Sequence, residues 1–142
     1  MANELKNARA GLKTRLETIS ALKRVYDYAP ETVSEDPAAV IMLDGPDNKR
    51  LVGGSTFTAD FRVTVYVHAG RVSEAMTDLD DMASPLGAKS LEAAVDADPT
   101  WDSKVDYGIL LRTERQRRQE APGGQDYFAQ DWIFRATVKV TT

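Results

Sequence analysis

Residues 57–68 read Phe-Thr-Ala-Asp-Phe-Arg-Val-Thr-Val-Tyr-Val-His. Phe57, Ala59, Phe61, Val63, Val65 and Val67 alternate without a break with Thr58, Asp60, Arg62, Thr64, Tyr66 and His68. Successive side chains of a strand point to opposite faces, so the pattern specifies a strand with one apolar face and one polar face. Typical strands run about 5–6 residues. This one is much longer, and the excess predicts that it projects past its neighbours as a hairpin arm. A chain that carries such a strand must supply partners for it and a second layer for its apolar face.

Two further segments have the same period. Val105, Tyr107, Ile109 and Leu111 alternate with polar or small residues, and the alternation continues without apolar content into Thr113-Glu114-Arg115-Gln116-Arg117-Arg118. Ala121-Pro122-Gly123-Gly124 reads as a turn. After it, Phe128, Trp132, Phe134, Ala136, Val138 and Val140 share one face, while Tyr127, Asp131, Arg135, Thr137 and Lys139 share the other. Together these segments predict a long hairpin. Ala38-Ala39-Val40-Ile41-Met42-Leu43 after Pro37 reads as a short strand buried on both faces. Val25-Tyr26-Asp27-Tyr28 is a short β-prone run closed by Pro30, and residues 44–54 form a polar loop.

The second layer is helical. Leu5, Ala8, Leu12, Leu16 and Ile19 recur at helical spacing and predict a helix over residues 3–21, with Asn3 as N-cap and Gly11 as a weak point. Val72, Ala75, Met76, Leu79 and Met82 give a second stripe. Ser84-Pro85 fits the N-cap and first position of a third helix through Leu91, Ala94 and Val95, which Asp98-Pro99 ends. The fold expected is α+β: an antiparallel-dominated β-sheet with long hairpins and about three helices packed on one face, in a single domain over residues 1–142. Phe61, Val63, Val65, Trp132, Phe134 and Val138 should share its core with Leu12, Leu16 and Leu79. Trp101, in a loop, is expected to cover an edge of that core.

Little in the chain resembles catalytic machinery. With no cysteine there is neither a disulfide nor a thiolate metal site. His68 is the single histidine and falls on the polar strand face, with no evident partner for a general base. Asp78, Asp80 and Asp81 look clustered, but on a helix Asp78 and Asp81 share a side and Asp80 does not. Asp96 and Asp98 lack the glycine and final glutamate of a calcium loop. Gly53-Gly54 and Gly123-Gly124 lack phosphate-cradle spacing, and no serine sits in a nucleophile elbow. No catalytic residue, cofactor or metal ligand is therefore assigned. The apolar runs fall short of the ~20 residues of a membrane span, and the N-terminal segment has no apolar core of a secretory signal.

Charge is distributed unevenly. Net charge is -4, which disfavours a role dominated by nucleic-acid binding. Residues 1–26 hold six basic and two acidic side chains, and residues 74–106 hold nine acidic and two basic ones. Residues 112–118 hold Arg112, Arg115, Arg117 and Arg118 against Glu114. Such blocks are either ordinary solvated faces or surfaces for charged partners. Arginine suits the latter because its planar fork pairs with carboxylates. Arg112, Arg115, Arg117 and Arg118 are accordingly interface candidates, and Asp78 and Asp81 are their candidate counterparts on a neighbouring subunit.

The order of elements resembles that of the tail terminator and tail-completion proteins of long-tailed bacteriophages. The resemblance rests on the opening helix that runs to Leu22-Lys23-Arg24, on Val25-Tyr26-Asp27-Tyr28, and on Pro37-Ala38-Ala39-Val40. It continues through the long strand, the helix of residues 76–82, and Ser84-Pro85 leading to Lys89-Ser90-Leu91-Glu92-Ala93-Ala94. It closes with Gly123-Gly124-Gln125-Asp126-Tyr127 before the last strand. The resemblance implies a non-enzymatic ring subunit, six to a ring, at the head–tail junction of a virion assembled in the host cytoplasm. Such a ring ends tail-tube polymerisation and joins the tail to the head connector. Its implied partners are itself, a tail tube protein and a connector or stopper protein, with DNA passing the lumen unbound and no membrane involved. Other neck or minor tail proteins share parts of this order, and a small-molecule-binding α+β domain is the alternative from another class. For a ring, Asp44, Asp47, Lys49, Arg50 and Asp60 are the candidate lumen residues, with an acidic or neutral wall expected because a basic one would grip DNA.

Overall fold

The computed structural model describes residues 4–33, 35, 37–44, 49–50, 56–68, 70, 72–120 and 126–139. The elements are α1 (Glu4–Leu16), β1 (Arg24–Tyr26), β2 (Ala38–Leu43), β3 (Lys49–Arg50), β4 (Thr56–His68), α2 (Val72–Ala83), α3 (Leu91–Asp96), β5 (Tyr107–Thr113), β6 (Arg117–Glu120) and β7 (Asp126–Lys139). The strands form one seven-stranded sheet in the order β1-β2-β4-β7-β5, with β3 beside β4 and β6 beside β7. Among the described residues only β1 and β2 pair in parallel; the other pairings are antiparallel. The α+β architecture read from the sequence is the one observed.

The long strand does not project as an arm. β4 is the centre of the sheet, and β7 covers it from Thr56 opposite Lys139 to His68 opposite Tyr127. The reason lies in the matching period: β7 is equally long, and in this register Phe61 faces Phe134 and Val63 faces Trp132. β5 and β6 lie along the other edge of β7, broken at residues 114–116, and so complete the expected long hairpin. The turn residues expected at 121–125 and the Asn3 cap lie outside the described residues.

One face of the sheet carries the helices. Leu12 and Leu16 from α1, Leu79 and Met82 from α2, and Leu91 and Val95 from α3 are fully buried against Phe61, Val63, Val65, Trp132 and Phe134. Val138 joins the same core, as expected. β2 divides its side chains: Ala39 and Ile41 enter this core, while Ala38 and Val40 enter a smaller cluster on the opposite face with Tyr26, Val33, Tyr66, Tyr127 and Ala129. That cluster is fastened by the Tyr127 hydroxyl, which donates to the Val33 carbonyl at 3.3 Å.

Four local expectations are corrected. α1 stops at Leu16, where a helix to residue 21 was expected. Thr18 Oγ1 donates to the Arg15 carbonyl at 2.6 Å, an alternative to the helical ladder, and Ile19 and Leu22 reach the core from tight turns. Met76 is exposed; among the described side chains of α2, Ala75, Leu79 and Met82 make the buried stripe. Ser84 closes α2 through its amide instead of opening α3. The cap of α3 is Ser90, whose Oγ accepts the Ala93 amide at 3.0 Å and donates to the Ser84 carbonyl.

The fourth correction concerns β5. The alternation groups Val105, Tyr107, Ile109 and Leu111 as its apolar positions; Val105 is buried, but Tyr107 and Ile109 are exposed while Gly108 is buried. Trp101 takes the space. Its ring is fully buried and lies edge-on to Phe61 and Phe134 at 6.2 and 6.5 Å between centroids. A Cβ at residue 108 would stand 2.2 Å from the indole, so only glycine fits beneath it. The turn that delivers the indole is left-handed at Trp101, Asp102 and Ser103 (φ 47, 60 and 62), a region costly for residues with a Cβ. Asp98 braces it by accepting the Thr100 amide (3.1 Å), the Thr100 hydroxyl (2.6 Å) and the Asp102 amide (3.0 Å). Gly108→Ala should lower the unfolding free energy by about 1–3 kcal/mol, the cost of overpacking against a ring that cannot move aside. Urea unfolding followed by tryptophan fluorescence measures it, and an unchanged midpoint would contradict this packing.

Candidate functional site on the open face of the sheet

The face of β4 and β7 that turns away from the helices carries ionic pairs. Asp60 stands directly opposite Arg135, and the two form a bidentate pair at 2.8 and 3.1 Å. Arg62 is the hub. Its Nε donates to Asp44 Oδ1 at 3.1 Å, and its Nη1 donates to Glu114 Oε1 at 2.5 Å and also to Asp131 Oδ2. Arg117 binds the other oxygen of Asp131 at 3.2 Å, and Arg112 pairs with Glu114 at 3.4 Å. Four carboxylates (Asp44, Asp60, Glu114 and Asp131) thus meet four guanidiniums (Arg62, Arg112, Arg117 and Arg135), and the lattice sums to zero charge.

Burial explains the arrangement. Asp131 is only 3% exposed, and a buried carboxylate is tolerated only when paired. Ile133, on the same helix-free face, is fully buried although in register it stands between Arg62 and Arg112; arginine stems can cover apolar surface while their heads stay wet. The hydrogen bond from Arg62 holds the Glu114 carboxyl below its ordinary range. The same pairing holds the Arg62 guanidinium further into its charged form, and Asp60 does so for Arg135. Burial raises the Tyr66 phenol, whose oxygen accepts from Gln119 at 3.3 Å.

The structure brings together some of the residues singled out from the sequence and disperses others. Asp44, Asp60, Arg112 and Arg117 belong to the lattice, each already paired within the chain. Arg118 pairs with Asp126 at 3.5 Å, and Arg115 is exposed. Asp78 and Asp81 share one side of α2, as expected, where Lys89 lies 3.3 and 3.9 Å from them. Gln116 donates to Asp80 at 2.6 Å, so the arginine segment and the acidic helix are neighbours within one chain. Lys49 and Arg50 form β3 beside Thr58 and Phe57, and Asp47 lies outside the described residues. Arg62, Glu114, Asp131 and Arg135 were not identified from the sequence. Their signal was present in opposite charges at alternate positions of two polar strand faces, but it becomes legible only with the β4–β7 register.

His68 Nδ1 accepts the Gly70 amide at 3.1 Å, which occupies a lone pair that a base would use. Among the described residues no group of three or more histidine, aspartate or glutamate side chains is placed to hold a metal ion. No helix among them is long and apolar enough to cross a membrane. Among the described residues, open hollows lie beside α1 and β1 and along Ser73, Glu74, Thr77 and Asp78 of α2.

No protein-family model matches the chain, and no characterised protein matches it. Among solved structures, a chain in the virion of a native gene transfer agent particle resembles it over 99% of this chain and 100% of that one, with a TM-score of 0.47 and 17% identity.

Arg62→Met should destabilise the fold by roughly 3 kcal/mol, the low end for breaking a buried ion pair, because Arg117 still contacts Asp131. Glu114 has a depressed folded-state pKa, so its stabilisation is full above its ordinary value of 4.5 and is lost as pH falls through the lower folded value. The wild type should therefore lose stability below about pH 4.5, and Arg62→Met should flatten that acid limb. Urea midpoints between pH 3 and 7 test both statements.

Proposed function

We propose that this chain is a structural ring subunit at the head–tail junction of a phage-like virion, and that the open sheet face lines the lumen. The observation that carries the reading is the lattice itself. The helices cover one face of the sheet, while much of the other is finished with paired charges of zero sum. A wall past which duplex DNA must slide needs this property. Free lysines and arginines would bind phosphates through counterion release, whereas guanidiniums already held by carboxylates offer DNA little. The order of elements, which resembles tail terminator proteins, supports six subunits to a ring, an end to tube polymerisation, and joining of the tail to a head connector.

The expected result in solution is concentration-dependent association into a closed ring. Sedimentation and negative-stain class averages measure it. Duplex DNA at physiological salt should not be retained by the assembled protein in a filter-binding assay. A strict monomer whose melting temperature responds to small molecules would overturn the reading in favour of a ligand-binding domain.

A further inference from the structure

The fold converts the uneven charge of the sequence into a difference between the two edges of the sheet. β1 is one edge strand and β5 the other. At the β1 edge, Lys13, Lys23 and Arg24 line an open hollow of about 390 Å³ in which Glu17 is the one carboxylate among the described residues. None of these three cations has an ion-pair partner among the described residues. Arg15, on the same helix, is engaged elsewhere: it caps α3 by donating twice to the Ala94 carbonyl at 3.2 and 3.0 Å.

The opposite edge is acidic. α3 packs against β5, and residues 91–106 hold Glu92, Asp96, Asp98, Asp102 and Asp106 against Lys104 alone. Asp98 is committed to its turn. Asp96, Asp102 and Asp106 are exposed, and none has an ion-pair partner among the described residues. Arg24 also lies 5.3 Å over the Tyr26 ring, and elsewhere Arg115 is exposed while other cations are already paired. Arg112, Arg117 and Arg118 are neutralised within the chain, and Lys89 serves Asp78 and Asp81.

We propose that the basic hollow at the β1 edge receives the acidic α3–β5 edge of a second copy of this chain. The inference rests on the ring reading and deepens it by naming the two surfaces that meet. Two different, complementary patches at opposite edges of one subunit make a head-to-tail contact, and repetition of one rotation closes it into a ring. Charges at such a contact set orientation and association rate, and salt weakens them.

The test is a charge swap followed by sedimentation velocity at low and physiological salt, with circular dichroism confirming the fold of each variant. K23E/R24E and D96K/D106K should each weaken self-association at low salt by at least about tenfold. The quadruple variant, with both edges reversed, should recover to within a few-fold of wild type. If the wild type assembles and either double variant assembles as well as it does, the surfaces are wrong while the ring reading stands. If both double variants weaken assembly and the quadruple does not recover, the hollow receives something other than this edge. If K23E/R24E abolishes a duplex-DNA affinity while assembly is untouched, the hollow is a phosphate site and the proposal falls. A wild type that stays monomeric at every concentration removes the ring reading and this inference together.

Discussion

Thirteen residues of β4 pair in register with thirteen of β7, and most of the molecule follows from that pairing. A strand repeats every two residues, so a single choice of register fixes both faces at once, and a slip by one would invert them. The chosen register puts Phe61 beside Phe134 and Val63 beside Trp132 under the helices. It also puts Asp60 beside Arg135 on the far side. The hydrophobic core and the charged face are therefore not independent designs. Any alternative pairing that buried aspartate and arginine under the helices would leave charge in a low-dielectric interior, and that penalty defends the register as much as the apolar contacts do.

The central strands and the buried stripes of α1 and α2 were legible because each rests on a period that holds over many residues, whereas the apolar run of β2 gave the double burial of residues 38–41 but not the exposure of Met42. The exceptions share a cause. Reading β5 by its apolar positions gives the wrong face, since the bulk on the inner side comes from residue 101 and the strand contributes only Gly108. Ser84-Pro85 has the stronger local signature for a helix start, yet Ser90 is the cap because Leu91 and Val95 must reach the core. Charge was visible in residues 112–118, but the partners of that segment were not. Arg62 meets Glu114 and Asp131 across 52 and 69 residues of chain, distances that no local pattern spans.

A two-layer protein must finish the side of its sheet that has no helices. The small aromatic cluster around Tyr66 and Tyr127 closes one end of it beneath Val33. Elsewhere the closure is ionic: Ile133 is fully buried between the register positions of Arg62 and Arg112, and the guanidiniums meet carboxylates from β4, β7 and the ends of β2 and β5. Arg62 gathers three of those elements onto its own strand, Asp44 after β2, Glu114 after β5 and Asp131 in β7. The eight paired groups of this face carry no net charge between them.

Trp101 and Gly108 are tied together in a way that extends beyond stability. The indole fills a space that exists only because residue 108 has no side chain, and the glycine is bearable in a strand only because the indole fills it. Neither can drift alone: a side chain at 108 evicts the ring, and a smaller residue at 101 opens a void over a bare backbone. Across descendants of this sequence the two positions should be inherited as one character, changed together or not at all.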